Sequence, residues 1–236
     1  MNLALDFGNS YVKAGLFDKD SLVKVIERIA LSEIHDLLVE HMPEKIIVST
    51  VSTRADDIKP YVEGFEVTFL SAQLPLPYTI DYKTPATLGL DRIAGVAGAQ
   101  GLFPQRSCLV IDAGTCITYD IIDKDGVYYG GGIAPGMNMR FKALHNFTAN
   151  LPLVEFEENI KLVGQSTKES ILSGVIYGTL AEIQEIIRMY SDKFRDLQII
   201  MCGGDAKFFE NKLKASIFVA PELVLRGLNR ILLYNA

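Results

Sequence analysis

Alternating apolar and polar stretches divide the chain into predicted strands and helices. Short apolar runs at 46–48, 109–111 and 199–201 indicate buried strands. Apolar residues at helical spacing predict a long amphipathic helix over 167–190 and a shorter closing helix over 223–234. Because strands and helices alternate along the whole chain, the pattern favours an α/β fold over an all-α or all-β fold.

Polar side chains mark where several of the helices could begin. Ser32 precedes an apolar helical stretch and Thr167 precedes the long amphipathic one, so either hydroxyl could accept a first-turn N–H as an N-cap. Asp91 follows the glycine turn at Gly89 and opens another apolar helix. It could serve there as the N-cap, or it could be an acid held at the mouth of a site.

An apolar strand that ends in an acid and a glycine turn occurs twice. Asp6 and Gly8 follow the first such strand, and Asp112 and Gly114 follow the second. The two acids are 106 residues apart, which is close to half of the 236-residue chain. This recurrence predicts an internal duplication with one acid-led hairpin in each half. A period of this length is too long for a solenoid repeat.

The length of the chain allows one large domain or two small ones. The best boundary lies near 104–107, just before the second hairpin, so the expected domains are 1–107 and 108–236. The content of 49% hydrophobic and 22% charged residues excludes a disordered chain. No Pro- or Gly-rich linker separates the two halves.

The charge and the cysteine content limit which cellular compartment and which binding partners are expected. The formal charge of −6 does not favour non-specific binding to nucleic acid or to an anionic membrane. No apolar run reaches the ~18 residues of a membrane span, and an acid at Asp6 argues against a secretory signal. The three cysteines, Cys108, Cys116 and Cys202, lack metal-site spacing and favour a reducing cytoplasm.

The first hairpin has the composition of a phosphate-binding loop. Gly8 allows a tight turn whose N–H groups could form an anion nest, with Asn9 and Ser10 as further donors and Lys13 as a cation. Asp6 could hold magnesium directly or through water. The alternative is a plain hairpin in which the acid and the amide satisfy turn geometry.

The remaining motifs each leave two interpretations open. Together with the first hairpin, the hairpin at 112–115 could hold a nucleoside triphosphate from two sides, although no Walker or dinucleotide fingerprint is present. Glycine turns at 130–136 and 202–206 could approach a ligand or could simply connect elements. Asp91 beside Arg92 could be a surface ion pair, or the arginine could bind an anionic substrate through two nitrogens.

Taken in order, these motifs resemble the type III pantothenate kinases. That family is marked by a DxGN[ST] loop, a GxDR motif, a DxGT loop, a GGxIxPG turn and a late glycine-pair turn. The resemblance covers essentially the whole chain, in which the matching segments are Asp6–Ser10, Gly89–Arg92, Asp112–Thr115, Gly131–Gly136 and Gly203–Ala206.

The resemblance implies an actin-like α/β fold of two ribonuclease-H-like domains with a nucleotide cleft between them. It implies phosphorylation of pantothenate by ATP, the first step of coenzyme A biosynthesis. It also implies magnesium with ATP, a monovalent cation such as potassium or ammonium, and a homodimer whose interface lies near the substrate site. No nucleic acid or membrane partner is expected.

The same resemblance implies roles for individual residues. Asp91 is the expected general base, Asp112 the ligand of the monovalent cation, and Asp6 the residue directed at magnesium. The other expected ATP contacts are Phe7, Gly8, Asn9, Ser10, Tyr11, Val12, Lys13 and Thr115. The expected substrate contacts, besides Asp91, are Tyr82, Gly89, Leu90, Arg92 and Thr167, with Arg92 on the pantothenate carboxylate.

The sequence departs from the family pattern at two positions. Ser10 stands where threonine is common, which keeps the hydroxyl, and Cys202 stands where a threonine often precedes the glycine pair, which removes one. Two other functions are compatible with the motifs. One is an actin-like kinase acting on a sugar or a small carboxylic acid, and the other is a non-catalytic regulatory binding protein.

Overall fold

The computed structural model describes residues 1–8, 11–50 and 53–236. Two compact units are built from segments that are not consecutive in sequence. The first unit combines three segments, which are 1–108, 120–130 and 222–236. The second unit combines two segments, which are 109–119 and 131–221. The expected domain boundary between 107 and 108 stays a prediction.

The first sheet has five strands in the order β3-β2-β1-β4-β5. The strands are β1 (Asn2–Phe7), β2 (Val12–Asp18), β3 (Ser21–Ile29), β4 (Lys45–Thr50) and β5 (Val67–Phe69). β1 and β2 form an antiparallel hairpin, whereas β4 runs parallel to β1. α1 (Ile34–His41) and α2 (Ala55–Ile58) follow β3 and β4. Their residues Ile34, Leu38 and Ile58 are fully buried in the core cluster formed around β1 and β4.

The second sheet has six strands in the order β11-β10-β7-β8-β9-β6. They are β6 (Thr79–Ile80), β7 (Cys108–Ala113), β8 (Cys116–Ile122), β9 (Val127–Pro135), β10 (Gln198–Cys202) and β11 (Phe218–Val219). The other helices are α3 (Leu90–Leu102), α4 (Met137–Asn146), α5 (Thr167–Lys193), α6 (Ala206–Glu210) and α7 (Leu223–Tyr234). None of the described helices combines the length and the apolar composition that a bilayer crossing requires.

Two glycines allow α3 and α7 to pack at very short distance within the first unit. A Cβ at Gly227 would overlap the carbonyl group of Ala94, and a Cβ at Gly98 would overlap the carbonyl oxygen of Leu223. The absence of side chains at these positions therefore lets the two helix backbones touch. The contact fixes α3, whose first turn carries Asp91 and Arg92.

Most of the predicted elements are present, and the predicted caps need correction. The three apolar runs lie inside β4, β7 and β10, and the closing helix has the predicted bounds. The long helix extends to Lys193, and its N-cap is Ser166, whose hydroxyl accepts the N–H of Glu169. Thr167 is thus the first helical residue. Ser32 lies in a 3-10 turn before α1 and does not cap it.

Candidate active site

Asp6 lies at the carboxyl end of a buried strand, as the sequence predicts. It is the penultimate residue of β1, in register with Lys13 of β2 and with Ser49 of β4. Ser49 is fully buried, and its hydroxyl has no hydrogen-bond partner among the described residues. A buried hydroxyl without a hydrogen-bond partner lowers the stability of the folded state. The position of this hydroxyl beside Asp6 therefore suits a bound cation that is coordinated by oxygen atoms.

The rest of the first hairpin is described only in part. Phe7 and Val12 are buried and end the strand pairing on either side of the turn. Asn9 and Ser10, which the sequence predicts as phosphate donors, lie outside the described residues. Gly8 precedes them directly after the end of β1.

Lys13 has partners on β3 that the sequence pattern does not reveal. Its ammonium lies 3.1 Å from a carboxylate oxygen of Glu27 and 5.6 Å from the centre of the Tyr11 ring. The guanidinium of Arg28 lies 5.8 Å from the same ring. The predicted ATP contacts Tyr11 and Lys13 therefore lie close together, and Arg28 is a second cation beside the Tyr11 ring. Only the pairing of β2 with β3 brings that cation to them.

Both of the later glycine turns pack against the second hairpin. Asp112 is the penultimate residue of β7, and a Cβ at Gly203, where φ is +89°, would lie 2.5 Å from its Oδ1. A Cβ at Gly136 would overlap the carbonyl of Gly114 and would lie 2.6 Å from that of Thr115. These two glycines therefore let backbone approach the hairpin that carries Asp112 and Thr115.

A cation at either hairpin would use oxygen atoms. Among the described residues, no group of three or more His, Cys, Asp or Glu side chains is placed to hold a metal ion. A carboxylate with hydroxyl, carbonyl or phosphate oxygens is the donor set of a hard cation. Asp6 beside Ser49, and Asp112 beside the closely packed backbone of Gly203, both fit that chemistry.

Asp91 occupies the first turn of α3, where a carboxylate is favoured by the helix dipole. The N-cap of this helix is Gly89, so Asp91 is not the N-cap. Its Oδ1 accepts the backbone N–H of Arg92 at 2.8 Å. A Cβ at Gly89 would lie 2.5 Å from that same oxygen. The glycine before Leu90 thus makes room for the acid, which is partly exposed.

Arg92 is buried and pairs with an acid far along the chain. Its Nε lies 2.9 Å and 3.1 Å from the two oxygens of Asp120, and its Nη2 lies 2.6 Å from Oδ1. Burial alone lowers the pKa of Arg92, but the hydrogen bonds and charge of Asp120 outweigh it and raise the pKa. A smaller electrostatic contribution from Tyr82 adds to this increase in the pKa. The side-chain partner of Arg92 is therefore not the neighbouring Asp91.

Tyr128 completes this buried cluster. Its hydroxyl donates to Oδ1 of Asp120 at 2.6 Å. Burial, and then the charge of Asp120, raise the pKa of the Tyr128 phenol, so it stays a donor. Sequence reasoning missed both residues. The signal was an acid, Asp120, among the apolar residues at the end of β8.

Tyr82 lies against a glycine of β9. A Cβ at Gly130, where φ is +86°, would lie 2.6 Å from two carbon atoms of the Tyr82 ring. The structure thus brings Tyr82 and Arg92 together, next to the turn that carries Gly89 and Leu90. Thr167 belongs to the other unit, at the start of α5.

Comparisons with known proteins identify a kinase family and an actin-like fold. A family model described as type III pantothenate kinase matches residues 2–189. A type III pantothenate kinase of Phocaeicola vulgatus is 44% identical over 239 residues, which cover 100% of this chain and 99% of that protein.

Among solved structures, one described as a conserved putative Baf family transcriptional activator from Campylobacter jejuni has a TM-score of 0.64 at 23% identity, over 99% of this chain and 98% of the other. The ROK hexokinase of Thermus thermophilus has a TM-score of 0.52 at 12% identity, over 99% of each chain. The second likeness shows that the fold is shared with sugar kinases.

Proposed function

The chain belongs to the type III pantothenate kinase family, and from that membership we propose which of its residues carry out the phosphorylation of pantothenate. As a member of this family of ATP-dependent kinases, the protein acts in coenzyme A biosynthesis. The expected α/β fold of the actin-like class is confirmed.

Asp91 is the proposed general base, and its placement carries the proposal. It stands in the first turn of α3, partly exposed, beside an arginine whose own charge is already paired. There it would take the proton of the pantothenate hydroxyl while that oxygen bonds to the γ-phosphorus. The bond between this phosphorus and the bridging oxygen of ATP breaks, and ADP leaves. Such a base typically contributes about 10²–10⁴-fold to the rate.

The first hairpin is proposed to hold the ATP phosphates. Lys13 would exchange Glu27 for a phosphate oxygen, because a polyphosphate carries more negative charge than a carboxylate. Asp6, with the unpaired hydroxyl of Ser49 beside it, would hold magnesium directly or through water. Magnesium bound with ATP neutralises charge on the β- and γ-phosphates. Thr115 of the second hairpin is proposed as a further ATP contact.

Asp112 is proposed to hold a monovalent cation, potassium or ammonium. The fit rests on a carboxylate at the end of β7 and on the close approach of the Gly203 backbone to it. Backbone carbonyls could complete an oxygen cage there. Such a cation would offset part of the charge that ATP brings to the site.

Pantothenate is proposed to contact Tyr82, Arg92, the backbone at Gly89 and Leu90, and Thr167. The electrostatic interaction of Tyr82 with Arg92 supports a common site for these two. We further propose a homodimer in the cytoplasm, with no nucleic acid or membrane partner. The net charge of −6 agrees with the absence of a nucleic acid or anionic membrane partner.

The test is a coupled assay of ADP release, with pantothenate compared with a panel of sugars and small hydroxy acids. We expect turnover with pantothenate only, higher in potassium than in sodium. Turnover with a sugar but not with pantothenate would support another actin-like kinase. Absence of turnover with every acceptor, in a folded protein that binds ATP, would support a regulatory binding protein.

A further inference from the structure

The buried carboxylate of Asp120 has no role assigned by the reaction, although it lies against a proposed substrate contact. We propose that Asp120 is a positioning residue that fixes the guanidinium of Arg92 for pantothenate. This inference rests on the proposed role of Arg92. It concerns a residue that does not itself touch the substrate.

The geometry of the pair restricts Arg92 before any substrate arrives. Arg92 is 8% exposed and Asp120 is 1% exposed. One carboxylate oxygen, Oδ1, accepts from both Nε and Nη2 of Arg92, and the other oxygen accepts from Nε. Two parallel contacts of this kind fix the plane of a guanidinium as well as its position. The rotamer freedom of a long side chain is thereby lost on folding rather than on binding.

Asp120 is in turn held from its other side. The Tyr128 hydroxyl donates to Oδ1, and the Tyr128 ring makes an edge contact with Tyr78 at 6.1 Å between ring centres. The Tyr78 hydroxyl donates to the carbonyl of Ile93 at 2.8 Å, in the first turn of α3. The chain of contacts therefore begins and ends on the helix turn that carries Arg92. A closed network of this kind sets a unique geometry.

A purely structural ion pair is the competing explanation. Buried ion pairs contribute little net stability, because removing both charges from water costs about as much as their attraction returns. A well-packed apolar pair would stabilise the fold equally well. Arg92 directly follows the proposed base Asp91, and this position favours a role for the Arg92–Asp120 pair in aligning the substrate.

The test is steady-state kinetics on Asp120→Asn, which keeps the shape and removes the charge. We expect the KM for pantothenate to rise by roughly a hundredfold, the scale of an ångström-sized misplacement. The KM for ATP should not change. Asp123→Asn is the matched control, because Asp123 also accepts from a tyrosine hydroxyl, that of Tyr129, at 2.7 Å on the surface of the same unit. The control should leave both KM values unchanged.

A double variant separates this inference from the proposed role of Arg92. Arg92→Met should raise the KM for pantothenate, and Asp120→Asn should add nothing in that background. If Arg92→Met raises that KM and Asp120→Asn alone does not, the positioning role is wrong and the Arg92 contact stands. If neither variant raises it, the Arg92 contact itself is wrong. Equal loss for both substrates in step with a lower melting temperature would leave only a structural pair and overturn the proposal.

Tyr128→Phe keeps the test decisive if Asp120→Asn does not fold. This variant leaves the ion pair intact and removes only the phenol that donates to Asp120. We expect a smaller rise in the KM for pantothenate, with the KM for ATP near that of the parent. An unchanged KM for pantothenate would count against the network.

A second, independent observation lies in β3. The register of β2 and β3 shifts between Val12, which pairs with Ile29, and Ala14, which pairs with Ile26. The bulge contains Arg28, whose φ is +59°. The other described non-glycine residues with positive φ lie in turns or at a helix end, so Arg28 is the one within a strand. We infer that this bulge directs Arg28 at the phosphates of ATP.

The left-handed backbone and the position of the side chain support this inference. A residue with a Cβ is disfavoured at positive φ, and such residues concentrate at ligand sites. Bulges likewise occur next to active sites, where they redirect a side chain. The Arg28 guanidinium and the Lys13 ammonium lie within 6 Å of the same Tyr11 ring centre, at 5.8 Å and 5.6 Å. The hairpin proposed to hold phosphate therefore has two cations at its edge.

Arg28→Gly removes the guanidinium and accepts the positive φ, so it tests the charge without adding strain. We expect its KM for ATP to rise on the order of tenfold, the value of one hydrogen bond to a charged group. Arg28→Lys should recover part of this loss. Lys24→Ala, which removes another exposed cation from the same strand, should have no effect. An equal loss in Lys24→Ala, or no change in Arg28→Gly, would overturn the inference.

Lys13→Ala distinguishes an error in the role of Arg28 from an error in the proposed phosphate site. If it raises the KM for ATP and Arg28→Gly does not, only the role of Arg28 is wrong. If neither variant raises it, the proposed phosphate site at this hairpin is wrong.

Discussion

Replacing Gly227 with alanine should destabilise the protein through the contact between α3 and α7. The new Cβ would overlap the Ala94 carbonyl group and lie 2.6 Å from its carbon and 2.8 Å from the amide nitrogen of Gly98. Ordinary contacts to a Cβ begin near 3.4 Å. Because every one of these atoms belongs to backbone, no side-chain rotation relieves the overlap, and the helices must separate.

The expected loss follows from two opposing effects. Overpacking a well-packed contact costs about 1–3 kcal/mol, and backbone overlap lies at the upper end of that range. Alanine in a helix interior gains about 1 kcal/mol over glycine. The net loss of about 2 kcal/mol should lower the Tm by roughly 4–8 °C for a chain of this size.

Thermal unfolding followed by far-UV circular dichroism measures this effect. Gly178→Ala in α5 is the matched control, because a Cβ at that position would have nothing within 4 Å and the helix is continuous there. The helix propensity of alanine should therefore appear alone and raise the Tm by roughly 2–4 °C. If Gly227→Ala melts as high as Gly178→Ala, the two helices are not in backbone contact.

Four further predictions concern the site and the thiols. Asp91→Asn should lower kcat by about two to four orders of magnitude with an unchanged melting curve; retention of more than about a tenth of turnover would exclude it as the base. Asp6→Ala should weaken magnesium–ATP binding in calorimetric titration and leave pantothenate binding intact, whereas equal losses would indicate a structural role. Activity should be high in potassium or ammonium and low in sodium, and Asp112→Ala should abolish the difference; equal activity of the parent protein in both ions would exclude the monovalent site. Burial raises the pKa of Cys108 to about 12, so at pH 8 a thiol reagent should modify the partly exposed Cys116 far faster.

The sequence by itself determined the local elements and the order of the motifs. Apolar spacing is set by the period of each element, so the closing helix and the three buried runs could be located without tertiary information. The hairpins that follow Asp6 and Asp112 were also predicted, because an acid and a glycine after an apolar strand indicate a tight turn. The N-cap of the long helix was misplaced by one residue, from Ser166 to Thr167, because both hydroxyls can cap and the sequence does not decide between neighbours.

Only the tertiary structure decided which distant residues meet. Nothing near Arg92 in the sequence shows that its partner is Asp120, 28 residues later, because ion-pair geometry depends on where the folded chain places the two side chains. The sequence likewise does not show that Gly203 lies against Ala113 and Asp112, which belong to a neighbouring strand of the same sheet.

The assignment of 222–236 to the same unit as 1–108 rests on the same physical reason. Periodicity records which face of a helix is apolar, but it does not record which element covers that face. In this protein Gly98 and Gly227 allow α7 to pack against α3, because only backbones without side chains can approach so closely.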